Sequence, residues 1–211
     1  MILTDLPLIH VFDLLGVAVF AISGALAAGQ KGLDWVGVVS LAVVTSIGGG
    51  TLRDVLLNRD AVFWISDPTY LWVILIAAVM TIIYAHFFRI PANALRIADA
   101  LGLALFTILG ARIAEAEGAP TLIVIVMGIL TGVAGGMFRD VLIREVPMVF
   151  RPTEELYSVA ALGGVLLYLL LQALTVPATV AAMFGVMLVA GLRLAAVIWK
   201  IRLPAFHVSA D

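Results

Sequence analysis

Gly48-Gly49-Gly50-Thr51-Leu52-Arg53-Asp54-Val55-Leu56 is answered 86 residues later by Ala134-Gly135-Gly136-Met137-Phe138-Arg139-Asp140-Val141-Leu142. Extended outward at the same offset, Asp13–Leu57 aligns with Asp99–Ile143 without a gap, and 18 of the 45 positions are identical. Two unrelated apolar segments would agree at roughly a tenth of positions, given how few residue types dominate them. The matches include unlike types: Asp13/Asp99, Gly16/Gly102, Phe20/Phe106, Gly24/Gly110 and Thr45/Thr131. Gene duplication is the economical explanation.

The solvent of this duplicated chain follows from composition. It is 64% hydrophobic and 12% charged, with mean hydropathy +1.19. A soluble domain would carry about twice that charge, and one core of this size cannot hide so much apolar surface, so lipid must solvate much of it. The net charge of −2 points to no nucleic-acid partner. Without cysteine there are no disulfides, Cys-based metal sites or thiol chemistry. His10, His86 and His207 lack ligand spacing, so no metal or cofactor is expected. Residues 1–12 hold Asp5 and no Lys or Arg, so the first apolar stretch reads as a retained span and not a cleaved signal.

The expected fold is an all-α integral membrane protein of seven transmembrane helices, near 9–29, 34–57, 69–89, 97–114, 119–143, 155–174 and 177–199. Each charge-free run approaches the ~20 residues a bilayer crossing needs, and Pro177 divides the overlong run 156–192. One membrane domain spans 1–211: repeat 1 (8–90, three helices), repeat 2 (94–175, three helices) and a seventh helix, 177–199. An odd number of spans per copy inverts the second copy relative to the first. Lys31, Arg89, Arg96, Arg144, Arg151, Lys200 and Arg202 fall on the C-terminal side, against Arg59 and Arg112 opposite. The positive-inside rule then puts the C-terminus in the cytoplasm and the N-terminus outside. Trp35, Trp64, Tyr70, Trp72 and Trp199 lie near span ends, as interfacial anchors do.

Consecutive glycines inside a helix cost roughly 1 kcal/mol each relative to alanine, so the motif needs a compensating reason. In one reading the helices break there, and carbonyls near Thr45, Ser46, Thr131 and Gly132 line an aqueous path, attracting cations. In the other, the glycines let helices touch. Leucine at Gly49 or Gly136 separates the two: it narrows a path in the first case and disrupts the fold in the second. The duplicated Arg53-Asp54 and Arg139-Asp140 favour the path, since ionisable residues within spans face a bundle interior or cavity. Neighbours on a helix point ~100° apart, so each Arg is expected to pair across elements, with Asp13 or Asp99, and not with its own neighbour. The default role of Asp13 and Asp99 is to complement the positive ends of helices one and four. Gly16, Gly24, Gly102, Gly110 and Gly163-Gly164 read as close-packing positions.

The duplicated Gly-Gly-x-x-Arg-Asp, the three-plus-three-plus-one layout and the length resemble bacterial members of the trimeric intracellular cation channel family. These overlap a duplicated "glycine transporter" domain family. The resemblance covers about residues 8–200. It implies a homotrimer in the bacterial inner membrane, with one pore per protomer lined by glycine-kinked helices two and five. It implies conduction of K⁺, with Na⁺ also passing, among membrane lipid and without catalysis. Carried over, the pathway comprises Thr45, Ser46, Gly48, Gly49, Gly50, Arg53, Asp54, Thr131, Gly135, Gly136, Arg139 and Asp140, with Asp13 and Asp99 as structural charge partners. Ala134 departs from the pattern, standing where the first copy has Gly48. The alternative is a secondary transporter of glycine or another small amino acid. No His-Glu-x-x-His, Gly-x-Ser-x-Gly or Gly-x-Gly-Asp pattern supports an intramembrane enzyme.

Overall fold

The computed structural model describes residues 6–151 and 156–201. Arg202, residue 155 and the C-terminal tail lie outside them. The described helices are α1 (Leu6–Gln30), α2 (Trp35–Leu56), α3 (Phe63–Ser66), α4 (Thr69–Phe87), α5 (Ala94–Ala116), α6 (Thr121–Leu142), α7 (Tyr157–Ala173) and α8 (Ala178–Trp199), with a 3₁₀ turn at Met148–Phe150. Among the described residues, six helices (α1, α2, α4, α5, α6 and α8) are long and apolar enough to cross a membrane, while α7 is apolar but shorter. The short α3 was not anticipated. Pro177 does separate α7 from α8.

Helix ends repeat as the sequence does. Gly32 (φ 68°) and Gly118 (φ 74°) turn the chain after α1 and α5, in a left-handed conformation that glycine adopts without steric cost. Asn58 and Arg144 (φ 51° and 57°) close α2 and α6. The Asp34 carboxylate caps α2 by accepting from the amide of Gly37 at 2.8 Å.

α1 and α5 form the centre, where the rings of Phe20 and Phe106 stack with centroids 5.3 Å apart. Each ring fills the space over the other copy's glycine, Phe106 over Gly16 and Phe20 over Gly102. Val17, Leu41, Ala42, Ile74 and Ala78 bury α1, α2 and α4 together. Ile108, Val124, Val165, Tyr168 and Ala181 do the same for α5–α8. Trp35, Trp72 and Trp199 are 75%, 65% and 71% exposed, as membrane anchors would be. Tyr70 is not an anchor. It is buried, held inward by a hydrogen bond described below.

Candidate functional site

α2 and α6 are unbroken helices through the glycine motif, which corrects the expectation of a break. Helical hydrogen bonding survives because the glycines serve an approach between helices. A Cβ on Gly49 would lie 2.2 Å from the carbonyl oxygen of Thr131, and one on Gly135 would lie 2.4 Å from that of Thr45. The two contacts are equivalent under the 86-residue offset, and their crossed order makes α2 and α6 antiparallel. Backbone contact this close leaves no room for any side chain, and the packing gained compensates the glycines' cost. The threonine hydroxyls turn back on their own helices, and Ser46 is shared between its own helix and α1. Thr45 donates to Leu41 O at 2.6 Å, Thr131 to Met127 O at 2.6 Å, and Ser46 to Ala42 O at 2.8 Å and Val17 O at 3.0 Å.

The packing positions behave as expected except Gly163, where a Cβ would have Leu188 as its nearest neighbour at 4.0 Å, so only Gly164 of that pair makes a close contact. Gly24 abuts Ala42 and Leu41, Gly110 abuts Thr131 and Met127, and Gly164 abuts Val189 of α8. Gly48 faces Phe138, Gly50 faces Phe63, and Gly136 faces the Asp99 carboxylate and Tyr157 hydroxyl.

One turn beyond the glycines, each Arg-Asp pair is fully buried. Arg53 Nε donates to Asp54 Oδ1 at 2.8 Å, and Arg139 Nε donates to Asp140 Oδ1 at 2.8 Å. Adjacent residues therefore do pair, contrary to expectation. The ~100° offset separates the Cβ directions, but arginine's long side chain bends back around the helix to its neighbour. Each aspartate then fastens the chain that follows: Asp54 Oδ2 accepts from the amide of Phe63 at 2.9 Å, and Asp140 Oδ2 from that of Met148 at 2.8 Å.

Asp13 and Asp99 sit inside α1 and α5, buried, and not at the helix starts. Both helices begin earlier than their charge patterns suggest, so the two carboxylates do more than cap. Tyr70 Oη donates to Asp13 Oδ2 at 2.8 Å, and Arg139 Nη1 donates to Asp99 Oδ1 at 2.8 Å. The expected cross-element pairing is thus seen for Asp99. For Asp13 the described hydrogen bond comes from Tyr70, with Arg53 close enough to act through its charge.

Three residues of these clusters were missed. Tyr157 lies beside Asp99 as Tyr70 lies beside Asp13. Its offset of 87, one more than the repeat's, hid the match. Arg193 of α8 is fully buried, with its guanidinium 4.5 Å from the Tyr157 ring centroid and Nη2 3.9 Å from Asp99 Oδ2. Its position at the edge of an apolar run could have flagged it. Ser23 accepts from Arg139 Nη1 at 2.5 Å, where the first copy's equivalent position is Leu109. Each cluster thus holds two acids and a tyrosine; the second balances its acids with the buried Arg139 and Arg193, the first with the buried Arg53 and the partly exposed Arg59, whose Nη1 donates to Asp54 Oδ1 at 3.2 Å. Pairing matters because an isolated ion at this depth costs several kcal/mol. Among the described residues, no group of His, Asp and Glu has the geometry to hold a metal.

The fold and these clusters define an all-helical membrane protein, and comparison with known proteins agrees. The family model described as "Glycine transporter" matches twice, over residues 10–86 and 96–173. The UPF0126 inner membrane protein YadS of Escherichia coli (strain K12) is 42% identical over 206 residues, 97% of this chain and 99% of its own length. A UPF0126 membrane protein of Vibrio cholerae is 41% identical over 97% of this chain and 85% of its own. The solved TRIC trimeric intracellular cation channel orthologue from Rhodobacter sphaeroides superposes with a TM-score of 0.86 at 37% identity, over 92% of this chain and 99% of that one. A second solved TRIC cation channel gives 0.84 at 32% identity, over 96% and 98%. The chain belongs to the trimeric intracellular cation channel family, within the duplicated "Glycine transporter" domain group.

Proposed function

We propose that the chain is a channel for monovalent cations, chiefly K⁺ with Na⁺ also passing, that forms a homotrimer with one pathway per protomer. The observation that carries this reading is the antiparallel crossing of α2 and α6 between two buried, charge-balanced clusters. An arginine neutralised on both sides does not repel a cation approaching the crossing. The solved relatives are named as cation channels, which supports the same reading. The reciprocal contacts Gly49–Thr131 and Gly135–Thr45 support two inverted three-helix repeats, 8–90 and 94–175, with 177–199 as a seventh span. The pathway would run past Thr45, Ser46, Gly48, Gly49, Gly50, Arg53 and Asp54, and past Thr131, Gly135, Gly136, Arg139 and Asp140. Because the glycines touch the opposite helix, conduction requires α2 and α6 to part at the crossing.

Purified protein in planar bilayers should give unitary currents, with a reversal potential that follows a K⁺ gradient. The description "Glycine transporter" motivates a second reading, a carrier for a small amino acid. Saturable glycine uptake into vesicles without unitary currents would establish that reading in place of the channel. Detergent-corrected mass should correspond to three chains, and a conducting monomer or dimer would remove trimerisation from the mechanism. Orientation is tested by Ser209→Cys, in the tail outside the described residues. It should resist an impermeant thiol reagent in intact cells, and labelling without lysis would reverse the topology.

A further inference from the structure

Two ion pairs beyond the buried acids tie the end of α2 to the α5–α6 turn and the end of α6 to the α1–α2 turn, at opposite ends of the glycine crossing. Arg59, just past the end of α2, donates from Nε to Glu117 Oε1 at 2.9 Å, in the turn leading into α6. Glu145, just past the end of α6, accepts from Lys31, in the turn leading into α2. Under the 86-residue offset Arg59 corresponds to Glu145, and Lys31 to Glu117. The duplication has therefore kept the pair while reversing both of its charges. Two independent charge reversals that preserve an attraction identify the link itself, and not the residue types, as the feature shared by the two copies.

The surrounding backbone is the same in both. The amide of Arg59 donates to Asp54 O at 3.0 Å, and that of Glu145 to Asp140 O at 2.8 Å. Both pairs follow a left-handed residue, Asn58 or Arg144. They are not equally wired. Arg59 Nη1 also donates to the buried Asp54 Oδ1 at 3.2 Å, so this link reaches the Arg53-Asp54 motif directly. Glu145 instead gains Arg151, whose Nη2 lies 3.4 Å from Oε2. Lys31 holds the Glu145 carboxyl below the usual carboxylate range, so the pair is formed at neutral pH. All four side chains are partly exposed, which makes the links weak, salt-screened and easily reversed.

We propose that Arg59–Glu117 and Lys31–Glu145 are a pair of latches that hold α2 against α6 at either end of their glycine crossing, and that their release favours the parted, conducting arrangement. The helices are about 33 Å long, so the latches act on opposite faces of the bundle. Arg59 is a positioning residue for the Arg53-Asp54 motif and not part of the ion path.

The inference rests on the channel reading, so its test has a readout independent of current. The chain lacks cysteine, so spin labels can be placed on exposed positions: Val55→Cys with Leu122→Cys for the Arg59 end, and Val36→Cys with Val141→Cys for the Lys31 end. Arg59→Gln and Glu117→Gln should each add a longer-distance population to the first label pair. Lys31→Gln and Glu145→Gln should do so for the second. In bilayers each neutralisation should raise the open-to-closed ratio about two- to five-fold, as expected of screened ion pairs, with unitary current in high salt unchanged for Glu117→Gln, Lys31→Gln and Glu145→Gln, whose side chains bond no pathway residue. The double variant Lys31→Gln/Glu145→Gln should do no more than either single change. Label distances that superpose on the parent's in all four variants would overturn the latches, whether or not the protein conducts. Shifted distances in a protein without unitary currents would keep the latches and remove the channel reading.

Discussion

Asp99→Asn should lower unfolding stability by about 3–5 kcal/mol, the range for removing one partner of a buried ion pair. This carboxylate accepts from Arg139 Nη1 at 2.8 Å and has Arg193 Nη2 3.9 Å away, with both arginines inaccessible to solvent. An amide keeps the shape and one acceptor oxygen but leaves two positive charges facing a single buried carboxylate, Asp140. Asp13→Asn should cost less, about 1–3 kcal/mol. Its hydrogen-bond donor is the neutral Tyr70 hydroxyl, which an asparagine oxygen can also receive. Unfolding of the two variants in mixed detergent, followed by circular dichroism, measures the difference. An Asp99→Asn protein within 1 kcal/mol of its parent, on the scale of ordinary surface changes, would show that Asp99 does not anchor the second cluster.

Gly49→Leu and Gly135→Leu should both cause large losses of folded protein. The obstacle in each case is a backbone carbonyl, 2.2 Å and 2.4 Å from the new Cβ, so no rotamer change relieves it and the helices must separate. Overpacking of this kind costs typically 1–3 kcal/mol and more where backbone must shift. The reciprocity of the contacts predicts similar effects at the two positions. Gly191→Leu is the control, since nothing lies within 4 Å of a Cβ there. Gly136→Leu meets Asp99 Oδ1 at 2.9 Å and Tyr157 Oη at 3.2 Å, so it perturbs the second charge cluster instead of the crossing. Size-exclusion yield and melting temperature give the folding readout, and single-channel current of the surviving protein tests the pathway. A Gly49→Leu protein that folds like its parent would refute the close contact, and unchanged current in it would also remove the crossing from the ion path.

The glycine motif shows why sequence and structure divided the work as they did. Duplicated glycines within a helical run signalled a purpose, and both packing and path were legible as candidates. Choosing between them needed the distance from Gly49 to Thr131, which depends on where α6 lies. The Arg-Asp pairs had the same limit. Their burial was readable from apolar flanks, but the bond between neighbours depended on the path of a flexible side chain. Tyr70 looked like an anchor because its neighbours are aromatic and near a span end, and only the place of Asp13 on α1 turned it inward. Tyr157 and Arg193 join their cluster through α7 and α8, which lie outside the ungapped repeat.

The sequence by itself determined the membrane setting, the helical class and the duplication. These follow from quantities local in the chain: the length of apolar runs, the scarcity of charge, and identity at a fixed offset. Most helix ends were placed to within three residues for the same reason, since glycine, proline and charge mark them locally. Tertiary structure alone decided that the glycines join antiparallel helices, that Asp99 receives Arg139 and faces Arg193, and that Arg59 meets Glu117 while Lys31 meets Glu145. Those partners are 40 to 114 residues apart. A buried charge specifies that some partner of opposite sign must exist, but which one it meets is fixed only when packing brings distant helices together.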